Sequence, residues 1–224
     1  MLFNLLKQVN PFKTIYYNLK WFPFPIGKKL PVFIAWNTAI YKSGGVILRG
    51  NIHTAMIKIG FPLGGFRNRN DSTMIDFRGN AIFKGHCSLG KGSKVIVDRD
   101  GTIVFGNNFN CTAGLNLECK KSIRFGNDCV LSWDITILDT DFHPIIDDLS
   151  NILNPNNPVV IGNNVWISYN TKIMKGITIA DNVVIASNTV VTKSINDSCS
   201  VVANEGLKMK TLRKKVSWQP TDIK

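Results

Sequence analysis

Acidic side chains are missing from the first 70 positions, and Asp71 is the first in the chain. That stretch carries ten Lys and Arg, while the remaining 154 residues hold 17 basic and 15 acidic side chains. The formal charge of +12 therefore belongs to a strongly basic front end on a nearly neutral body. Long apolar runs are also absent. The run at 32–36 is five residues long, against about 18 for a membrane-crossing helix, which excludes one. Residues 1–7 have too short an apolar core for a secretory signal, and no cleavage-like site follows. Cysteine is scarce and odd in number (87, 111, 119, 129 and 199), with no C-x-x-C pair. This argues against a disulfide framework or a zinc site and for a reducing cytoplasm. Histidine occurs only at 53, 86 and 143.

What is present is a repeat. Read from Ile161 in steps of six, the chain gives IGNNVW, ISYNTK, IMKGIT, IADNVV, IASNTV and VTKSIN. The first position (Ile161, Ile167, Ile173, Ile179, Ile185, Val191) is aliphatic throughout, and the fifth (Val165, Thr171, Ile177, Val183, Thr189, Ile195) is β-branched throughout. The fourth is Asn164, Asn170, Gly176, Asn182, Asn188 and Ser194. Asn and Gly tolerate positive φ, so a left-handed residue is expected at every sixth position. Short β-branched segments separated by such turns describe a parallel β-solenoid, and a period of six does not fit a helix.

The repeat extends backwards with slips. Phe125, Leu131 and Ile137 form one phase, and Phe105, Cys111 and Leu117 another, shifted by two residues. Phe83, Leu89 and Val95 form an earlier set, and Val46, Ile52 and Ile59 are expected to begin the stack. Residues 144–158, rich in Asn, Asp and Pro, read as a loop projecting between repeats. The expected organisation is a basic, aromatic extension over 1–45, a solenoid over 46–205, and a tail over 206–224 whose basic start caps the last coil as a short helix or strand.

These hexads, together with ILDTDFHP at 137–144 and PVVIGNNVWIS after the loop, resemble the hexapeptide-repeat acyltransferases. The likeness is to sugar O-acetyltransferases of the galactoside/maltose type, in the branch found with surface polysaccharides, and covers about residues 80–205. It implies an all-β fold, a left-handed parallel β-helix of three strands per coil of about 18 residues with coils about 4.8 Å apart. The hand comes from the resemblance alone, since such a helix departs from the right-handed crossover rule.

The resemblance also implies a site. His143, just before the projecting loop, matches the family's general base. Trp166 matches its active-site tryptophan, and Asn110, in NFNCT, the residue that orients the acceptor. Transfer of an acetyl group from a thioester to a sugar hydroxyl needs a base with a pKa near the working pH, which imidazole supplies. A carboxylate on the other ring nitrogen would fix its tautomer. Asp141 lies on the same side as His143 if the segment is extended, and Asp139 shares that parity. Turn and solvent-facing roles stand beside these for both aspartates. Acetyl-CoA is the implied co-substrate, in a groove between subunits of a homotrimer, with Ser168, Ala186, Thr192 and Lys193 beside its pantetheine arm and Lys208 near its phosphates. The family's tail proline is missing from NEGLK.

The expected function is therefore cytoplasmic O-acetylation of a glycan, by direct transfer and without a metal. N-acetylation of an amino sugar and a non-catalytic glycan-binding solenoid are the alternatives. The γ-type carbonic anhydrases share the solenoid, but their close histidine pair is missing here. The basic first 70 residues read as a solvated face over a capping helix or as a peripheral contact with an anionic membrane. No nucleic-acid-binding motif accompanies the charge.

Overall fold

In a computed structural model the chain winds into a left-handed parallel β-helix of triangular section. The structure describes residues 7–64, 68, 70–205 and 208–215, so residues 1–6 and the last part of the basic tail lie outside the description. One face stacks Thr102–Phe105, Ser122–Phe125, Val159–Ile161 and Thr178–Ile179. The second stacks Cys87–Lys91, Phe109–Ala113, Val130–Trp133, Trp166–Ile167 and Val184–Ile185. The third stacks Lys94–Val97, Asn116–Cys119, Thr136–Leu138, Lys172–Ile173 and Val190–Val191. The strand Thr73–Phe83 turns a corner: its first half pairs with Lys94–Val97 and its second half with Thr102–Phe105.

Coil length explains the slips in the repeat. Partners Val160 and Thr178, and Lys172 and Val190, are 18 residues apart. Thr102 and Ser122 are 20 apart, and Asn80 and Thr102 are 22 apart. The extra residues sit at corners, so the inward columns stay aligned. Phe83, Phe105 and Phe125 stack ring on ring at 5.0 and 5.7 Å. Of the residues expected to begin the stack, Ile59 lies opposite Leu89 and Val46 opposite Ala81, whereas Ile52 is in a loop.

The hexads behave as their chemistry dictates. Every first- and fifth-position residue from Ile161 to Ile195 is buried. Asn164, Asn170, Gly176, Asn182 and Asn188 are left-handed, with φ from 53° to 75°. The asparagine amides then ladder between coils, Asn164 donating to Asn182 at 2.9 Å and Asn170 to Asn188 at 2.8 Å. Ser194 is not left-handed; its hydroxyl accepts the Thr178 N–H at 3.0 Å. At another corner the coils approach so closely that a Cβ on Gly106 would lie 2.0 Å from the Gly126 carbonyl oxygen, so only glycine fits.

Sheet pairing starts before residue 46. Val32–Ile34 is the open edge of the second face, and Thr38–Leu48 pairs with Thr73–Phe83. A helix, α1 (Pro11–Trp21), closes that edge, with Asn10 as its N-cap and Pro11 at N1. Its buried residues are the polar Thr14 and Asn18. The Asn18 amide donates to the Val32 carbonyl at 2.6 Å and accepts the Val32 N–H at 3.0 Å, while the Thr14 hydroxyl accepts the Ile34 N–H at 3.1 Å. Side chains thus substitute for the missing neighbouring strand. A single turn, α2 (Phe24–Gly27), follows. At the other end, Lys208–Lys214 folds back antiparallel on Ser200–Glu205, so the cap is a strand.

Candidate active site

The projecting loop leaves the third face after Thr136–Leu138 and returns to the first at Val159–Ile161. Its tip is a small hairpin in which Ile146 bridges Ile152 and the Asp147 carboxylate accepts the N–H groups of Leu149 and Asn151. The start of the loop is anchored by Asp139, which is fully buried. Its oxygens accept the N–H groups of Lys120, Lys121 and Ser122, each at 2.7 Å. The turn of one coil thereby holds the carboxylate of the next, a structural anion site rather than a partner for His143.

The Asp141 carboxylate, which lines the same cavity as His143, is bonded to other groups and not to the imidazole. Phe142 has φ of 66°, and the His143 N–H donates to the Asp141 carbonyl at 2.7 Å, a γ-turn that breaks the extended parity. The Asp141 carboxylate is bound by Lys175 Nζ at 2.6 Å and by the Asn154 amide at 3.0 Å. Those two donors hold its pKa below the ordinary carboxylate range. Asn154 also donates to the His143 carbonyl at 3.0 Å. His143 is thus presented by a strained turn, exposed, on the wall of a cavity of about 330 Å³ with Phe142, Pro144, Ile152 and Asn154.

The other expected site residues fall into separate groups. Asn110 and Trp166 stand in one outward column of the second face, joined through Val130. Trp166 is 38% exposed, and its indole N–H donates to the Ser132 hydroxyl at 3.3 Å. The Asn110 amide oxygen is buried without a hydrogen-bond partner. Neither residue lines the His143 cavity. Ser168 and Ala186, one coil apart, occupy the edge between the second and third faces. Thr192 and Lys193, both exposed, follow Val190–Val191 on the edge that also carries Lys175 and the His143 loop. Lys208 lies at the turn of the terminal hairpin, opposite Glu205.

Residues 158–193 match the family described as bacterial transferase hexapeptide (six repeats). Over that segment the chain is similar to bacterial hexapeptide-repeat transferases. It is 36% identical over 145 residues, 64% of its length, to the polysialic acid O-acetyltransferase of Escherichia coli O1:K1 / APEC. It is 40% identical over 58 residues, 25% of its length, to the polysialic acid O-acetyltransferase of Neisseria meningitidis. The chain spans 44% and 27% of the lengths of these curated relatives. The crystal structure of the polySia-specific acetyltransferase NeuO shares the fold, with a TM-score of 0.51 and 20% identity over 84% of this chain and 91% of that one.

Within this hexapeptide-repeat chain, sequence reasoning missed Lys175 and Asn154, which hold the loop, and the Trp133–Tyr169 ring pair, 5.4 Å between centroids. Lys175 was traceable in principle, because it lies 18 residues before Lys193, one coil below it on the same edge.

Proposed function

We propose that the protein is an acetyl-CoA-dependent O-acetyltransferase, acting in the cytoplasm on a sugar hydroxyl of a surface polysaccharide or its precursor. The observation that carries this reading is the presentation of His143. Its ring is exposed on a cavity wall while Lys175 and Asn154 fix the backbone on either side. An imidazole so placed takes the proton of an acceptor hydroxyl as that oxygen attacks an acyl carbon. The relatives named as polysialic acid O-acetyltransferases support a glycan acceptor, with an anionic sialic acid polymer as the first to try.

Acetyl-CoA, when bound, supplies the acetyl group as a thioester. The small residues Ser168 and Ala186 leave their edge open to a thin chain, and Thr192 and the exposed Lys193 offer a hydroxyl and a cation on the next edge. Lys208 adds charge at the terminal hairpin. These types fit a pantetheine arm ending in phosphates. One chain keeps the edge bearing His143 apart from the face bearing Asn110 and Trp166. A homotrimer, in which an edge of one copy meets a face of the next, unites them.

Calorimetric titration with acetyl-CoA tests the reading without knowledge of the acceptor. One site per chain is expected, together with a loss of at least about a hundredfold in transfer for His143→Ala with the fold intact. A folded protein that binds no acetyl-CoA would instead be a glycan-binding solenoid. Full activity in His143→Ala would remove the base assignment, and a monomer in sedimentation would remove the shared site.

A further inference from the structure

Helix α1 is inverted. Its polar residues Thr14 and Asn18 are spent on the sheet edge, and the outward face carries Phe12, Ile15, Tyr16 and Leu19, exposed by 79, 49, 57 and 47%. Their spacing of three, one and three residues is that of a single helical stripe. Phe24, 68% exposed, follows on α2. An apolar stripe of this kind on an otherwise satisfied surface marks a contact with something else.

A second, independent feature says what that is. Beside the helix, Lys20, Lys42 and Arg99 line a concavity of about 380 Å³ together with Tyr41 and Arg78. Arg78 is committed to Asp76 at 2.7 Å, whereas Lys20 and Lys42 are exposed and form no ion pair among the described residues. Lys20 lies 5.6 Å from the Tyr16 ring and Lys28 5.9 Å from that of Phe24, so cations border the stripe directly. The first 70 residues contain no acidic side chain to neutralise them. Aromatic and aliphatic side chains flanked by unpaired lysines match the headgroup layer of an anionic bilayer, with the stripe at the acyl boundary and the lysines among the phosphates.

We propose that the N-terminal cap is a membrane-docking surface, on which the stripe of α1 and the Lys20–Lys42 concavity together hold the protein peripherally against anionic phospholipid. This goes beyond the transferase reading and does not depend on it.

The test is co-sedimentation of the full chain with vesicles of phosphatidylcholine alone or mixed with phosphatidylglycerol. The chain is expected to pellet with the mixed vesicles at low salt and far less with phosphatidylcholine alone. Ile15→Asp with Leu19→Asp, and separately Lys20→Glu with Lys42→Glu, should each weaken partitioning by about tenfold or more. All four positions are exposed, so an unchanged thermal unfolding midpoint serves as the control for folding. Absence of binding to the anionic vesicles overturns the proposal. So does a stripe variant that binds like the parent, since the attraction would then be charge alone. So does a stripe variant whose sedimentation coefficient falls in the absence of lipid, since the stripe would then be a seam between copies.

Discussion

Lys175 Nζ lies 2.6 Å from Asp141 Oδ2, and that ion pair, rather than a bond to the imidazole, is where the Asp141 carboxylate is used. The same ammonium donates to the carbonyls of Asn154 at 2.8 Å and Pro155 at 3.1 Å. One side chain from the next coil therefore ties both legs of the loop bearing His143. Asp141→Asn and Lys175→Met should each lower kcat/KM about tenfold, through misplacement of the loop. Because the tie is shared, the double variant should lose little more than either single one. The pH profile of kcat should keep its shape. A shifted apparent pKa in Asp141→Asn would instead return the carboxylate to the imidazole.

Much of this molecule was legible because its core is written in a short period. The hexads from Ile161 to Ile195 specify burial, corner and strand within six residues, and the structure follows them at all but the Ser194 corner. What was not legible depends on contacts between coils or on a single dihedral. The parity that joined Asp141 to His143 assumes an extended chain, and one left-handed residue, Phe142, breaks it. Asp139 looked like its neighbour because the N–H groups that hold it come from residues 17 to 19 positions earlier. The polar inner face of α1 was hidden for the same reason: its partner strand is 14 or more residues away.

Asp139 is expected to matter for folding more than for chemistry. Removing it takes the acceptor from three part-buried N–H groups, each worth roughly 1–3 kcal/mol where water does not replace it. Asp139→Ala should lower stability by about 2–3 kcal/mol, measured from the urea midpoint at constant slope. Asp139→Asn should recover only part, since its single amide oxygen can serve Lys121 and Ser122 in place of Oδ2 while the NH2 then faces the N–H of Lys120. A variant as stable as the parent would show that these bonds are dispensable.

His86 gives the fold a sensitivity to mild acid. At its corner its backbone N–H donates to the Asn107 amide oxygen at 3.0 Å, and its pKa is held below the ordinary 6.5 by burial first, then by Lys58 and His53. Above 6.5 both folded and unfolded states hold it neutral, and it costs nothing. As pH falls below that value the unfolded chain binds the proton first, so stability is lost until the folded pKa is passed. His86→Asn places at this corner the residue that the next coil carries there, Asn108. The difference in thermal midpoint between the variant and the parent should therefore widen in the variant's favour from pH 7.5 to 5.5. Parallel curves would mean that His86 does not titrate differently in the two states.

Asn18 decides whether the solenoid has a closed end. A helix lying on a sheet edge ordinarily turns an aliphatic side chain inward, so Asn18→Leu resembles an improvement on hydrophobic grounds. The opposite is expected. Leucine cannot replace the donor to the Val32 carbonyl or the acceptor for the Val32 N–H. Both backbone groups would then be stranded beneath the helix, at a cost of about 2–4 kcal/mol that added apolar burial does not offset. Asn18→Asp should fail as well, because a carboxylate accepts from the N–H but repels the carbonyl. Hydrogen exchange at Val32 and Ile34 is the sensitive measurement, and faster exchange in both variants is expected before any change in the distant coils. Unchanged protection in Asn18→Leu would mean that α1 covers the edge by packing alone.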